Sequence, residues 1–299
     1  MIKRILYEVL KKGYRIAGGR PIFAKFPPLS GLIRSAASYA LLNREGISLC
    51  EIQGHKMYIP ANDCLYDYTL NDFEPAVTKA IMNRLRPGDV AIDIGAHIGY
   101  HTLVAARQVG KSGKVFAFEP DPKNYDLLVK NIKLNSYNNV VAIKKAVSNK
   151  TEDTRLFQKS SSTHSLFCGP VQMSSKSVVV QTVSLDDFFS TCPTSLESRI
   201  RLIKMDIEGA EMLALLGMSR LVKNGSLTIV SELIPDLIAN SGFQPAEYLS
   251  KLVEYGFEVR IIGQEDKNLD NIAETIKRGT GVNLLCYKSE YGSNQLEAV

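Results

Sequence analysis

Nowhere in these 299 residues does an apolar run reach the ~18–20 positions that a membrane-spanning helix requires. The N-terminal segment is not expected to act as a secretory signal either, because Glu8, Lys11 and Lys12 interrupt its apolar positions. The five cysteines (Cys50, Cys64, Cys168, Cys192 and Cys286) are odd in number, scattered, and form no C-x-x-C pair. That excludes a disulfide framework and a cysteine-based zinc site, and it suits a reducing compartment. The expected location is therefore cytoplasmic. There is no internal repeat, no low-complexity tract and no G-x-x-x-x-G-K-[ST] phosphate loop.

A surplus of one charge sign is also absent once residues 1–25 are set aside. Seven basic residues there (Lys3, Arg4, Lys11, Lys12, Arg15, Arg20 and Lys25) face Glu8 alone, while the whole chain carries only +5. The remainder is close to neutral, so no nucleic-acid partner is expected. Ile2, Ile5, Leu6, Val9 and Leu10 fall at helical spacing among those cations and predict a basic amphipathic helix over 2–12. Such a helix either packs on the main domain or makes peripheral contact with an anionic membrane surface.

What the chain does have is a regular alternation of apolar strands and helices from residue 71 onward. Residues 1–70 read as an appendage: the basic helix, a glycine- and proline-rich linker over 13–28, a second helix over 29–42, and a β-hairpin over 47–59 turning at Gly54. A helix over 73–85 then stops at Pro87-Gly88. Strands follow at 90–94, 114–119, 140–147, 200–205, 227–233, 257–262 and 282–287, with helices at 100–109, 123–134, 210–222 and 245–255 between them. Alternation of this kind predicts an α/β fold, a parallel sheet wound by right-handed crossovers. The alternation lapses at 148–199, read as an insertion with strands at 154–158 and 177–183 and a short helix capped by Ser184. The polar loop 264–280 is the second lapse. Both lie where they can overhang the carboxyl ends of strands, the edge at which open α/β sheets bind ligands.

The organising stretch is Val90-Ala-Ile-Asp-Ile-Gly-Ala-His-Ile-Gly-Tyr100. It starts as an apolar run, which suits burial on both faces, before it meets Asp93, and the two glycines let a backbone approach a ligand at a helix N-terminus. The spacing Gly95-Ala96-His97-Ile98-Gly99 lacks the middle glycine that admits a pyrophosphate, since His97 stands in that place. An adenosyl ligand without phosphates fits better, which favours S-adenosylmethionine over a nicotinamide dinucleotide. Glu119, at the end of the second strand, is placed to accept hydrogen bonds from two ribose hydroxyls. Asp93, Asp206, Glu208 and Glu232 bring further carboxylates to strand ends, where they suit a cationic sulfonium. Each alone also suits a helix cap, and Asp206 with Glu208 offers oxygen ligands to a divalent ion. Without a clear third partner, no metal site is assigned.

These residues carry a resemblance. Phe73-Glu-Pro75, Pro87-Gly88, Asp93-Ile-Gly-Ala-His-Ile-Gly99, Phe118-Glu-Pro120, Asn131 to Asn135, Ala146-Val-Ser148, Val183-Ser-Leu-Asp-Asp187 and Lys204-Met-Asp-Ile-Glu-Gly-Ala-Glu211 occur in the order of FkbM-type methyltransferases. The chain resembles that family, a branch of class I S-adenosylmethionine-dependent enzymes, over about residues 66–262. The resemblance implies a Rossmann-like sheet, mostly parallel with its last strand antiparallel, and S-adenosylmethionine as cofactor. It implies cofactor contacts at Glu74, Asp93, Gly95, Ala96, His97, Gly99, Glu119 and Ala146. The family usually shows Asn where this chain has His97. Methyl transfer to a hydroxyl of a sugar, glycan or natural product is the implied activity, with Asp206, Glu208, Glu232 and His164 as candidate general bases. A nicotinamide-dependent oxidoreductase and a non-catalytic cofactor-binding scaffold recruited to membranes are the rival readings. His101 is expected to be structural and His55 to lie at the surface.

Overall fold

The computed structural model describes residues 46–60, 63, 73–158, 164–167, 176–264, 272 and 281–288. The expected N-terminal helices, the linker and nearly all of the 264–280 loop lie outside these residues. The chain divides into two compact units, Met1–Glu74 with Lys133–Ser136, and Pro75–Ile132 with Tyr137–Val299. In the first unit, β1 (Ile47–Ile52) and β2 (His55–Pro60) form the antiparallel hairpin read from the alternation. Leu49 faces out while Cys50, Ile52, Met57 and Ile59 are buried, as a period of two requires. His55 is buried as well, contrary to its expected surface position, because it opens β2 on the inward face of the pleat.

The second unit runs α1 (Pro75–Arg84), β3 (Val90–Ile94), α2 (Tyr100–Val109), β4 (Lys114–Phe118), α3 (Pro122–Leu134), β5 (Val140–Ile143) and β6 (Ala146–Val147). It continues with β7 (Asp153–Gln158), β8 (His164–Ser165), β9 (Lys176–Val183), α4 (Leu185–Ser190), α5 (Thr194–Glu197), β10 (Ile200–Met205) and α6 (Glu211–Leu216). It closes with β11 (Thr228–Leu233), α7 (Pro235–Asn240), α8 (Pro245–Glu254), β12 (Glu258–Ile261) and β13 (Val282–Tyr287). The main sheet has the order β12-β13-β11-β10-β3-β4-β5. Pairings from β5 through β11 are parallel, and β13 is antiparallel to both neighbours, so the expected antiparallel last strand sits inside the sheet. The reversal of strand order between β3 and β10 leaves a crevice at their carboxyl ends, where β3 and β10 deliver Asp93 and Asp206.

Several elements differ from the sequence reading, among them the short β8 and α5, which it did not expect. The strand expected over 140–147 is two, because β5 ends at Ile143 on the main sheet, and β6 starts a second sheet ordered β6-β9-β7-β8. The helix expected over 210–222 is interrupted at Gly217 and resumes as a single 3₁₀ turn, Leu221–Lys223. The helix α7, missed in the sequence, starts with Pro235 at its first turn, a position where the absent N–H costs nothing. Ser184 caps α4 as expected, accepting from the Asp187 N–H at 3.0 Å. The helix then sends Phe188 and Phe189 against Phe116 of β4 in edge-to-face contacts, with ring centroids 5.9 and 5.1 Å apart. No helix among the described residues is long and apolar enough to cross a membrane.

Candidate active site

The turn after β3 is built from left-handed backbone. Gly95, His97 and Gly99 have φ of 76°, 53° and 101°. A Cβ on Gly95 would stand 2.0 Å from the Asp206 carbonyl oxygen, so only glycine lets the turn pass β10. A Cβ on Gly99 would meet Leu128 Cδ1 at 2.8 Å, a softer obstacle. Gly95 and Ala96 both donate N–H to the Phe118 carbonyl at 3.0 Å, and the Asn131 side-chain amide donates to the Ile98 carbonyl at 2.8 Å. His97 is the non-glycine left-handed residue at the centre of this turn. His shares with Asn an enrichment in left-handed backbone, so the family's Asn can be replaced here without changing the path of the chain.

Glu119 clasps the turn from the neighbouring strand. Its Oε2 accepts the His97 N–H at 2.8 Å and its Oε1 accepts the Asp121 N–H at 2.9 Å. Each carboxylate oxygen keeps a further lone pair in this arrangement. Burial pushes the Glu119 carboxyl up to about 7, against the opposing pull of His97 and the two backbone donors. A buried carboxyl with spare acceptor capacity beside a left-handed glycine turn fits the ribose of an adenosyl cofactor. Asp121 caps α3 by accepting from the Lys123 and Asn124 N–H groups at 2.9 and 3.0 Å. Its other oxygen receives the Gln158 amide at 2.6 Å and lies 3.8 Å from His164 Nε2. His164 thus lies beside Asp121, on the Glu119 side of the edge. Its neighbour Ser165 donates to the Glu208 carbonyl at 2.7 Å.

The second half of the site sets Asp93 and Asp206 around one cation, with Glu208 and Glu232 beside Asp206. Lys204 is buried in β10, and its Nζ donates to the Gly95 carbonyl and to Asp206 Oδ2, both at 3.2 Å. It also lies 3.8 Å from Asp93 Oδ1. Asp93 Oδ2 accepts the Thr102 hydroxyl at 2.5 Å, which pins the first strand to α2. Burial holds the Asp93 carboxyl above its usual range despite Lys204 and Thr102. For Asp206 burial acts in the same direction, but the Lys204 ammonium and a hydrogen bond with Glu232 outweigh it, leaving the carboxyl below its ordinary value. Asp206, Glu208 and Glu232 each bring an oxygen within 4.8 Å of the others. Glu232 thereby supplies the third carboxylate that the sequence pattern did not place beside Asp206 and Glu208. Glu208 reaches that position through a left-handed backbone, φ 53°, a conformation that costs a non-glycine residue of order 1–3 kcal/mol.

The turn that strains Glu208 is held by Glu211. Its Oε1 accepts the Ile207 and Gly209 N–H groups at 3.1 and 3.3 Å, while its Oε2 is buried with no hydrogen-bond partner. Burial pushes the Glu211 carboxyl up to about 7, opposed by those backbone donors. His101 is buried in α2 near Lys204 and Asp206, where burial and the Lys204 charge bring it down to about 3. It is therefore neutral at physiological pH.

The structure thus brings Asp93, Gly95, Ala96, His97, Gly99 and Glu119 together at one turn, and Asp206, Glu208 and Glu232 at the adjoining one. Ala146 is buried in β6, paired with Thr182 of β9 in the second sheet. Glu74 ends the first unit with φ 41°. Lys204, Glu211 and Asp121 were not singled out from sequence. For Lys204 a signal existed, since a lysine inside the apolar strand Ile200–Met205 is a buried charge awaiting a partner.

Comparisons with known proteins follow the same outline. Residues 93–259 match the model of the methyltransferase FkbM domain. The hexuronic acid methyltransferase AglP of Haloferax volcanii is 25% identical over 161 residues, 52% of this chain and 61% of that protein. Protein-L-isoaspartate O-methyltransferase 1 of Archaeoglobus fulgidus is 39% identical over 59 residues, 20% of this chain and 27% of that one. The chain therefore spans about three-fifths or less of the length of these curated relatives. A solved FkbM methyltransferase from Methylobacillus flagellatus superposes with a TM-score of 0.42 at 15% identity, covering 75% of this chain and 55% of that one. With over half its residues matched, this chain belongs to the FkbM family of methyltransferases, class I enzymes whose cofactor is S-adenosylmethionine.

Proposed function

We propose that this protein transfers a methyl group from S-adenosylmethionine to a hydroxyl of a sugar or glycan. The observation that carries the reading is the pairing, on one sheet edge, of a ribose-type carboxylate at Glu119 with an ionised Asp206 held by Lys204. The cofactor supplies an electrophilic methyl on a cationic sulfur. The chain's part is to orient the adenosyl half through the 95–99 turn and Glu119, and to receive a proton at the second turn. With the cofactor bound, Asp206, with Glu232 hydrogen-bonded beside it, would be the residue to accept the proton of the acceptor hydroxyl. A base held ionised at neutral pH adds ~10²–10⁴-fold to such a transfer. His164, whose Nε2 lies 3.8 Å from Asp121, is the second candidate for that proton.

Uronic-acid-bearing glycans are the first acceptors to try, since AglP acts on a hexuronic acid. The assay follows labelled methyl from S-adenosylmethionine into glycan extracts, with wild type beside Asp206→Asn. The variant should bind S-adenosylhomocysteine normally and lose turnover. Full activity in the variant removes Asp206 from the mechanism, and label appearing only in nucleic acid or protein overturns the acceptor class.

A further inference from the structure

Asp206 is faced by charge on every side. Lys204 lies two residues back on its own strand, Asp93 comes from β3, His101 from α2, Glu232 from β11, and Glu208 and Glu211 from the turn into α6. Apart from the neutral His101, every one of these neighbours but Lys204 is an acid. Asp93 and Glu211 are buried and Asp206, Glu208 and Glu232 half-buried, and holding a buried charge such as Asp93 without a positive partner costs several kcal/mol. A lysine in the middle of a buried parallel strand is costly in the same way. The arrangement stands because each cost offsets the other, and the ammonium sits where its reach covers both sides.

Its third bond is the informative one. A lysine that served only to balance the acids would need contacts to carboxylates alone. Here Nζ also donates to the carbonyl of Gly95, the first residue of the cofactor turn, at the same 3.2 Å as to Asp206. Gly95 is also the residue whose missing Cβ lets the turn lie on the Asp206 backbone. One cation therefore spans the turn that shapes the cofactor half and the carboxylate that faces the acceptor half.

We propose that Lys204 is a positioning residue of the methyl-transfer site, a built-in counter-ion that locks the Gly95 turn and the Asp206 carboxylate into one register. This rests on the methyltransferase reading for what the register is used for, though not for the existence of the lock. An opposite charge at this range shifts a carboxyl by ~1–3 pH units. Without Lys204, burial acts on Asp206 against the Glu232 hydrogen bond and on Asp93 against the Thr102 hydrogen bond, and both carboxyls move upward.

The test compares Lys204→Met and Lys204→Arg in the full chain, by thermal melts from pH 5 to 8.5 and by calorimetry with S-adenosylhomocysteine. The Met variant should melt well below wild type at pH 8, with the deficit shrinking as acid protonates Asp206 and Asp93. It should bind S-adenosylhomocysteine about tenfold more weakly, the loss of one charge-assisted hydrogen bond on the turn. The Arg variant should recover most of the melting temperature. A deficit equal at all pH values, or an Arg variant as impaired as the Met variant, overturns the assignment. If Lys204→Met does not fold, adding Asp206→Asn should restore soluble protein, and a double variant that stays insoluble overturns it equally. None of these readouts needs an acceptor. Failure of the methyltransferase reading would instead show as absent turnover in the wild-type protein.

Discussion

Cofactor affinity should depend on pH through Glu119, and the size of the effect follows from its surroundings. The folded carboxyl stands at about 7 because it is buried, whereas its unfolded reference is 4.5. Ribose hydroxyls donate to the ionised form, so a bound adenosyl group favours the carboxylate and draws a proton off. Above pH 8 the proton is already gone and affinity is flat. Below 7 each unit of acid should weaken binding by up to about tenfold, equivalent to ~1.4 kcal/mol per unit. S-adenosylhomocysteine should therefore bind about tenfold more weakly at pH 6 than at pH 8. Calorimetry offers an internal check, because the proton released at pH 6 makes the observed enthalpy depend on the buffer's own ionisation heat. Glu119→Ala should lose measurable binding, since it removes both the ribose acceptor and the clasp on the His97 and Asp121 N–H groups. Glu211 titrates in the same range but holds the other turn, so Glu211→Gln should keep the ramp. Equal affinity at pH 6 and 8, without buffer dependence, would refute the ribose role of an ionising Glu119.

Other outcomes follow from the same geometry. Glu211 has a raised folded value, so its contribution to stability is complete below 4.5 and lost as pH rises through about 7. Glu211→Gln keeps the acceptor for Ile207 and Gly209 without the ionisation, and should melt at least ~2 °C above wild type at pH 8 and equal to it at pH 5. Gly95→Ala should cost more than ~4 kcal/mol and give insoluble protein or collapsed melting, since its Cβ meets backbone at 2.0 Å. Gly99→Ala, which meets only the end of the Leu128 side chain at 2.8 Å, should fold with a smaller loss by the same melts. Methyl transfer should persist in excess chelator, because Lys204 already supplies a positive charge to Asp206. Loss of turnover restored by a divalent ion would contradict that.

Elements with one period and clear stops were legible from sequence. The helix Tyr100–Val109 and the strand Val90–Ile94 have the same bounds in the structure as in the hydrophobic pattern, because glycines flank the first and the second is apolar but for Asp93. The strand over 140–147 was misread because apolar residues continue across Lys144-Lys145 while the partner changes from β4 to β9. Pairing partners leave no periodic trace. In the site, glycines and acids at strand ends announced themselves by type and position. Lys204 stood out only as a charge inside an apolar strand, because its partner is the carbonyl of Gly95, 109 residues earlier in the chain, and Glu232 gained a role only from the register that sets β11 beside β10.

The interior place of β13 bears on the order in which this protein can be made. As the chain leaves the ribosome, β3, β4, β5, β10 and β11 can assemble in sequence, each against a strand already present. The next strand, β12, has nowhere to dock, since its pairing is to β13 and not to β11. Until Val282–Tyr287 emerges, the edge of β11 stays open while β12 waits unpaired. Translation at ~5–20 residues per second stretches that interval to a few seconds. Through it the acid-bearing end of β11, with Glu232, is bordered on one side only, and β13 closes both gaps in one insertion.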